Sequence, residues 1–92
     1  MLTKQKFISL KEISKSLIPS MRVGKNGFGT AQLEELHKLL KKRKLVKIKI
    51  LKSAMEAKDK KSYAKEIALK ADAELIDLVG FTLTLYRENK RL

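Results

Sequence analysis

Apolar side chains recur at steps of three and four residues between Lys4 and Leu17. The members of this stripe are Phe7, Leu10, Ile13 and Leu17. The spacing is typical of a helix with one apolar face, and four lysines are distributed between the apolar positions. Pro19 disfavours helical geometry at the residue before it. The pattern therefore predicts a helix followed by a short strand, Ser20 to Val23.

A second helix and a second strand come next. The helix would carry an apolar face formed by Leu33, Leu36 and Leu40. Glutamates near its start and lysines at its end suit the helix dipole, and we expect Thr30 or Gly29 to be its N-cap. From Leu45 to Lys52, apolar residues alternate with lysines. This alternation predicts a strand with one buried and one basic face.

A third helix and two final strands complete the pattern. A stripe of small and apolar residues predicts a helix that begins near Asp59. The stripe consists of Ala64, Ile67, Ala68 and Ala71. Two strand-like runs follow on either side of Gly80, and the second alternates through Phe81 and Leu83. We expect these runs to be the last two strands.

The predicted order is α-β-α-β-α-β-β, which indicates an α/β (α+β) fold with a mixed sheet of about four strands. We expect a single compact domain over residues 1–92, because a chain of this length has no room for a second one. Only one sheet face is consistently apolar, so the helices should lie mainly on that face. The residues expected to look towards water are Arg22, Lys47, Lys49, Thr82 and Thr84.

The charge balance narrows the class of partner. The chain has 22 Lys and Arg against 10 Asp and Glu, a net charge of +12. Such a surplus attracts polyanions, so nucleic acid is expected ahead of an anionic membrane. An evenly solvated lysine surface is the plain alternative, but the basic residues are clustered: eight lie between Lys38 and Lys52, with no acidic residue among them.

Several classes of site are disfavoured by what the sequence lacks. The absence of cysteine excludes disulfides and thiolate metal sites, and we expect no metal and no cofactor. The longest charge-free run, Leu78 to Tyr86, is far shorter than the roughly 20 residues needed to span a bilayer. The N-terminus also lacks an apolar signal core. We therefore expect a soluble, cytoplasmic protein.

Three of the four glycines lie in one segment, Val23 to Thr30. A Walker phosphate loop requires a lysine followed by Ser or Thr, but Lys25 is followed by Asn26. The glycine spacing is the reverse of the dinucleotide fingerprint. The segment half-matches the RNP1 motif, but it enters a helix, so Phe28 is expected to pack there rather than to stack on a base.

The remaining motif is G-x-x-G, Gly24 to Gly27, between a strand and a helix N-terminus. Glycines permit positive φ and allow a sugar-phosphate chain to approach the main-chain N–H groups. Lys25 adds a mobile cation. An ordinary strand-to-helix turn is the alternative interpretation of these four residues.

With these segments the chain resembles the CRM domain, the chloroplast RNA splicing and ribosome maturation module, in its stand-alone YhbY-like form. The similarity rests on "VGKNG", the amphipathic helix after it, "LVKIKI" and the ending "LVGFTLTLYR". It implies a fold like the C-terminal domain of bacterial translation initiation factor three. One departure is that Gly29 precedes Thr30, where the family usually has Thr or Ser, which puts the loop geometry in question.

The resemblance implies a non-catalytic RNA-binding protein that binds ribosomal RNA of the large-subunit precursor during ribosome assembly, as a monomer with no small-molecule substrate. It implies RNA contacts from the loop and from the first helix, and we add the nearby basic residues. The predicted RNA-binding residues are Arg22, Gly24, Lys25, Asn26, Gly27, Lys4, Lys11, Lys15, Lys42, Arg43, Lys47 and Lys49.

Two other classes of function compete with RNA binding. The exposed sheet face could dock on a protein of a ribonucleoprotein particle, with only non-specific nucleic-acid affinity, although lysines are depleted in interface cores. An enzyme is disfavoured. His37 is the only histidine and is expected at a surface or boundary position, and the adjacent Glu34 and Glu35 point in different directions.

Overall fold

The computed structural model describes residues 2–55 and 59–88. The elements in chain order are α1 (Lys4–Ser14), β1 (Met21–Val23), α2 (Thr30–Arg43), β2 (Leu45–Ile50), a 3-10 helix (Lys52–Met55), α3 (Lys60–Lys70), β3 (Glu74–Val79) and β4 (Thr82–Tyr86). This confirms the predicted order and the α+β class. The first helix and the second strand end earlier than expected, at Ser14 and Ile50.

The four strands form one mixed sheet in the order β1-β2-β4-β3. β1 and β2 are parallel, and α2 makes the crossover between them. β4 pairs antiparallel with both β2 and β3. A two-residue loop joins β3 to β4, and Gly80 takes φ +61° at its first position, as in the type II′ turns that suit a hairpin.

The helices begin at capping residues that the sequence largely reveals. The Thr3 side chain accepts from the Lys6 backbone N–H at α1, and Asp59 accepts from the Ser62 N–H at α3. The latter bond lowers the pKa of the Asp59 carboxyl. Gly29 is the N-cap of α2, and its N–H donates to Gln32 Oε1 at 2.9 Å. The helix start predicted near Asp59 is confirmed, and of the two candidates for the N-cap of α2, Thr30 and Gly29, the structure has Gly29.

α2 and α3 cover the apolar face of the sheet and form the main core with it. Leu36 and Leu40 of α2 are fully buried, as the leucine stripe predicted. The predicted stripe of α3 is buried as well, from Ala64 to Ala71. Their partners on the strands are Met21, Val23, Val46, Ile48, Ile50, Leu83 and Leu85.

α1 packs on the opposite face, where a second and smaller core holds it. Leu10 contacts Ile76 and Tyr86 there, with Phe7 at the border. α1 therefore covers part of a face that was expected to be open to water. Among the residues predicted to face water, Thr84 is wrong, because it lies beneath this layer with 1% of its surface exposed.

The inward side of α1 also differs from the prediction. Ile13 is 51% exposed, whereas Ser14 is only 2% exposed. Phe7, Leu10 and Ser14, at steps of three and four, form the side that meets the sheet. Ser14 tolerates burial because its hydroxyl donates to the Lys11 carbonyl oxygen at 3.0 Å.

Lys47 of β2 holds the end of α1. Its half-buried ammonium donates to the carbonyl oxygens of Ser14 at 2.8 Å and Leu17 at 3.2 Å. The last carbonyls of a helix lack partners within the helix and favour a cation nearby. The prediction that Lys47 looks towards water is therefore corrected, because its charge is satisfied by α1 and the segment after it.

The last strand is tied to α2 and α3 by Arg87. Its Nη1 donates to the Ala71 carbonyl oxygen at 2.9 Å and lies 2.7 Å from His37 Nδ1. Arginine cannot accept a hydrogen bond, so Nδ1 of His37 must be the acceptor. His37 is half-buried, in line with the boundary position expected for it.

We expect Lys47→Met to lower the free energy of unfolding by about 1.5–3 kcal/mol, because two charge-assisted hydrogen bonds at the end of α1 are lost. Lys49→Met is the matched control, since Lys49 lies on the same strand and face but is exposed. That change should stay within about 0.5 kcal/mol. Urea unfolding measures both, and equal losses would contradict the role given to Lys47.

Candidate nucleic-acid interface

The segment Gly24 to Gly27 forms a tight turn at the end of β1. The Gly27 N–H donates to the Gly24 carbonyl oxygen at 2.9 Å, and Lys25 and Asn26 lie exposed at the tip. The backbone of Gly27 has φ +78°, a conformation that residues other than glycine rarely adopt. A Cβ at Gly24 would make only an ordinary contact of 3.6 Å with Leu51 Cδ1. The turn therefore requires glycine at position 27 because of its positive φ, whereas Gly24 could be replaced without a steric clash.

The exit of the turn is anchored in the protein. Phe28 is buried in the main core, which confirms that it packs at the helix entry. Burial raises the pKa of the Tyr63 hydroxyl of α3, while the Phe28 backbone N–H that bonds this hydroxyl acts in the opposite direction. The N–H groups of Phe28 and Gly29 are thus both taken up by acceptors of the protein, the Tyr63 hydroxyl and Gln32 Oε1. The tip of the turn is presented from an anchored base.

The N–H groups that stay available are those of the tip and of the helix start. Within residues 2–55 and 59–88, no hydrogen bond takes up the N–H of Lys25 or Asn26. Gly29 has no side chain with which to cap α2, so the N–H groups of its first turn stay free as well. The departure from the family pattern at Gly29 therefore leaves one more donor for an anion.

Two cations of the sheet lie beside the turn. Arg22 of β1 pairs in register with Lys49 of β2, and Lys49 pairs with Thr82 of β4. These three side chains share the face that carries α1, because Met21 and Val23 point to the main core. Arg22 and Lys49 are exposed, so α1 does not cover this row. We call Arg22, Lys49 and Thr82 the open row.

The structure brings only part of the predicted contact set together. The group around the turn consists of Arg22, Gly24, Lys25, Asn26, Gly27 and Lys49. Lys15 borders the same face, just after the end of α1. Lys4 and Lys11 are exposed on the same side of α1 as Lys15, at steps of seven and four residues. Lys47 lies beneath them with its charge engaged by α1.

The basic residues at the end of α2 form a separate group. α2 has 14 residues, which places Lys42 and Arg43 about 20 Å from the turn. Arg43 Nη1 donates to Ser20 Oγ at 2.8 Å. Lys44 Nζ lies 3.9 Å from Glu88, and the Tyr86 hydroxyl that donates to Glu88 lowers the pKa of that carboxyl. Positive charge is therefore less free at this end than at the turn.

Residues 2–55 and 59–88 contain neither a metal-binding cluster nor a membrane-spanning helix. The described ranges contain no group of three or more His, Cys, Asp or Glu side chains that could hold a metal ion. None of the helices that the structure describes is long and apolar enough to cross a membrane.

The sequence placed Thr82 on the same sheet face as Arg22 and Lys49, but it did not reveal Asp77 as a neighbour of that row. Asp77 joins this face because β4 lies between β2 and β3, and the pairing order of strands cannot be deduced from the alternation of residues within each strand.

Comparison with curated proteins gives two relatives. A probable RNA-binding protein of Methanocaldococcus jannaschii is 38% identical over 71 residues, 77% of this chain and 52% of that protein. The chain thus spans about half the length of that relative. A probable RNA-binding protein of Bacillus subtilis is 29% identical over 90 residues, 98% of this chain and 92% of that protein.

A solved structure and a family model agree with these relatives. The solution structure of a hypothetical protein from Staphylococcus aureus, also described as a candidate RNA-binding protein, has a TM-score of 0.80. It is 26% identical, and the match covers 99% of this chain and 93% of that one. The model of the CRS1/YhbY (CRM) domain matches residues 2–87, which confirms the resemblance seen in the sequence. Since that match covers nearly the whole chain, the protein belongs to the CRS1/YhbY (CRM) domain family.

Proposed function

We propose that this protein is a non-catalytic RNA-binding protein whose turn and open row hold the sugar-phosphate backbone of RNA. The observation that carries the proposal is the exposed tip at Lys25 and Asn26, whose free N–H groups lie beside an uncapped helix start. Arg22 and Lys49 extend this surface across the sheet. The names of the relatives, which are probable RNA-binding proteins, support the same conclusion.

The chemistry of this surface suits phosphates better than base edges. Main-chain N–H groups and the positive end of a helix dipole favour anions and carry no sequence information. Lysine and arginine side chains that bind phosphates release counterions, which supplies affinity. Selectivity among RNAs would then come mainly from their shape and from unpaired segments.

The partner we propose is ribosomal RNA of the large-subunit precursor, bound during ribosome assembly in the cytoplasm by a monomer that acts as a single domain. The choice rests on the resemblance to the CRM family, whose model matches residues 2–87. The separation of about 20 Å between the turn and the Lys42–Arg43 end of α2 suits a folded RNA that presents phosphates at two places.

A protein-docking role for the same face has less support. Two exposed cations occupy the open row, and lysine is depleted in the cores of protein interfaces. Affinity capture with and without ribonuclease separates the two roles. Ribosomal proteins retained after ribonuclease treatment would favour docking on protein.

Charge reversal at the tip tests the proposed clamp. The double variant Lys25→Asp and Asn26→Asp should weaken binding to a structured ribosomal RNA fragment at least about a hundredfold, because it replaces a phosphate contact by repulsion. Lys65→Glu with Leu69→Glu is the control, since it makes the same change of three charges on exposed positions of α3. Fluorescence anisotropy measures Kd, and equal weakening by both variants would show that only net charge matters.

Salt dependence tests the number of phosphates bound. With about six phosphate contacts, affinity should fall about a thousandfold between 50 and 200 mM salt. Six exposed cations belong to the predicted contact set: Arg22, Lys25, Lys49, Lys15, Lys42 and Arg43. A titration that shows an almost flat response over this range would rule out backbone binding of this kind.

A further inference from the structure

A groove lies on the α1 face of the sheet, just beyond the end of α1. Its floor is formed by Thr82 and Thr84 of β4, with Lys47 on one side and Asp77 and Val79 on the other. Lys15 lies at the rim. Thr82 belongs to both the groove and the open row, so the groove is continuous with the surface proposed to hold the RNA backbone.

The size of the groove limits what it can hold. Its volume is about 180 Å³. A protein cavity of about 150 Å³ accepts benzene, whereas pockets for drug-sized ligands and cofactors occupy about 300–1,000 Å³. One planar ring system is therefore the size class that fits. No aromatic side chain lines the groove, so such a ring would pack against Val79 and the aliphatic stem of Lys15.

Asp77 determines the polarity of the ligand. Its Oδ1 accepts from the Leu78 N–H at 2.9 Å, and among the residues the structure describes no hydrogen bond or ion pair engages Oδ2. An ionised carboxylate only accepts hydrogen bonds, so the ligand must present N–H or O–H donors towards it. The carboxylate makes the groove less favourable for a phosphate than the basic surface around it.

Guanine is the base that matches a carboxylate best. Its Watson–Crick edge presents two adjacent donors, N1–H and the N2 amino group. The neighbouring O6 is an acceptor that suits the Lys15 ammonium at the rim, which lies 3.2 Å from Glu12 but stays exposed. Uracil presents one N–H between two acceptors. In adenine and cytosine the amino group adjoins an acceptor nitrogen, which would face the carboxylate.

We propose that this groove is a subsite for one unpaired guanine base, with Asp77 accepting hydrogen bonds from N1–H and the N2 amino group. The inference rests on the proposed RNA-binding function and adds a base preference to it. Two strand spacings separate Arg22 from Thr82, about 10 Å, so a strand held at the turn and the open row can place a nearby base in the groove.

The test uses three labelled RNA hairpins with one stem. Their loops contain eight uridines, seven uridines with a central guanosine, or seven uridines with a central inosine, which lacks the N2 amino group. The full-length protein should bind the guanosine hairpin at least about fivefold more tightly than the uridine hairpin, and the inosine hairpin should fall in between. Fluorescence anisotropy at fixed salt measures each Kd.

The variant Asp77→Asn tests whether the Asp77 carboxylate is the group that recognises guanine. The amide oxygen can still accept from the Leu78 N–H, which leaves the NH₂ group facing the base donors. The preference for guanosine should fall below twofold, while affinity for the uridine hairpin stays the same or rises because a negative charge is removed. Asp72→Asn is the matched control: Asp72 lies outside the groove, and Asn tolerates its φ of +55°. This control should keep the preference.

Each outcome has a distinct meaning. Wild-type protein that binds all three hairpins equally, or an Asp77→Asn variant that keeps the guanosine preference, would overturn the guanine subsite and leave RNA binding intact. Wild-type protein that binds none of the hairpins would overturn both the subsite and the proposed function. A loss of preference shared by Asp72→Asn would assign the effect to net charge and would also overturn the subsite.

Discussion

The contact between the Lys47 ammonium and the end of α1 holds the helix in place on the sheet. This cation satisfies the carbonyls of Ser14 and Leu17, and α1 ends at Ser14 beside β2. Leu10, one turn before Ser14, anchors α1 against Ile76 and Tyr86. The half of the face near the turn is thereby left open, and the basic row and the groove both lie there.

The two faces of the sheet differ in how much of each is covered by helices. α2 and α3 cover one face, and the residues of β1, β2 and β4 that point to it are almost fully buried. The cations of the strands must therefore appear on the other face, beside the turn that ends β1. Arg22 and Lys49 thus lie beside the free main-chain N–H groups of the tip. The fold places two kinds of anion-attracting group at one edge of the sheet.

Features that depend on local sequence could be predicted. The caps at Asp59 and Gly29, the buried stripes of α2 and α3, the element order and the packing of Phe28 all follow from short-range patterns. The face to which α1 packs could not be predicted in this way, since a stripe of period 3.6 does not specify its partner. That packing buries Ser14 instead of Ile13, and it also buries Thr84.

The candidate site was predictable to a similar degree. The turn was evident from its glycines, but the role of Lys47 was not, because a lysine on the polar side of a strand normally faces water. Lys42 and Arg43 are close to β2 in sequence, yet the length of α2 carries them away from the turn. The groove depends on the pairing order of the strands and on a neighbouring helix. No single segment of the sequence encodes it.

The most direct measurement is a map of backbone amide chemical shifts in ¹⁵N-labelled protein during titration with a structured ribosomal RNA fragment. If RNA binds at the turn and the open row, the largest changes should fall at Arg22, Lys25, Asn26, Lys49 and Thr82. Amides on the exposed side of α3, such as those of Lys65 and Leu69, should move little. Changes concentrated on α3, with the turn unaffected, would contradict RNA binding at the turn and the open row.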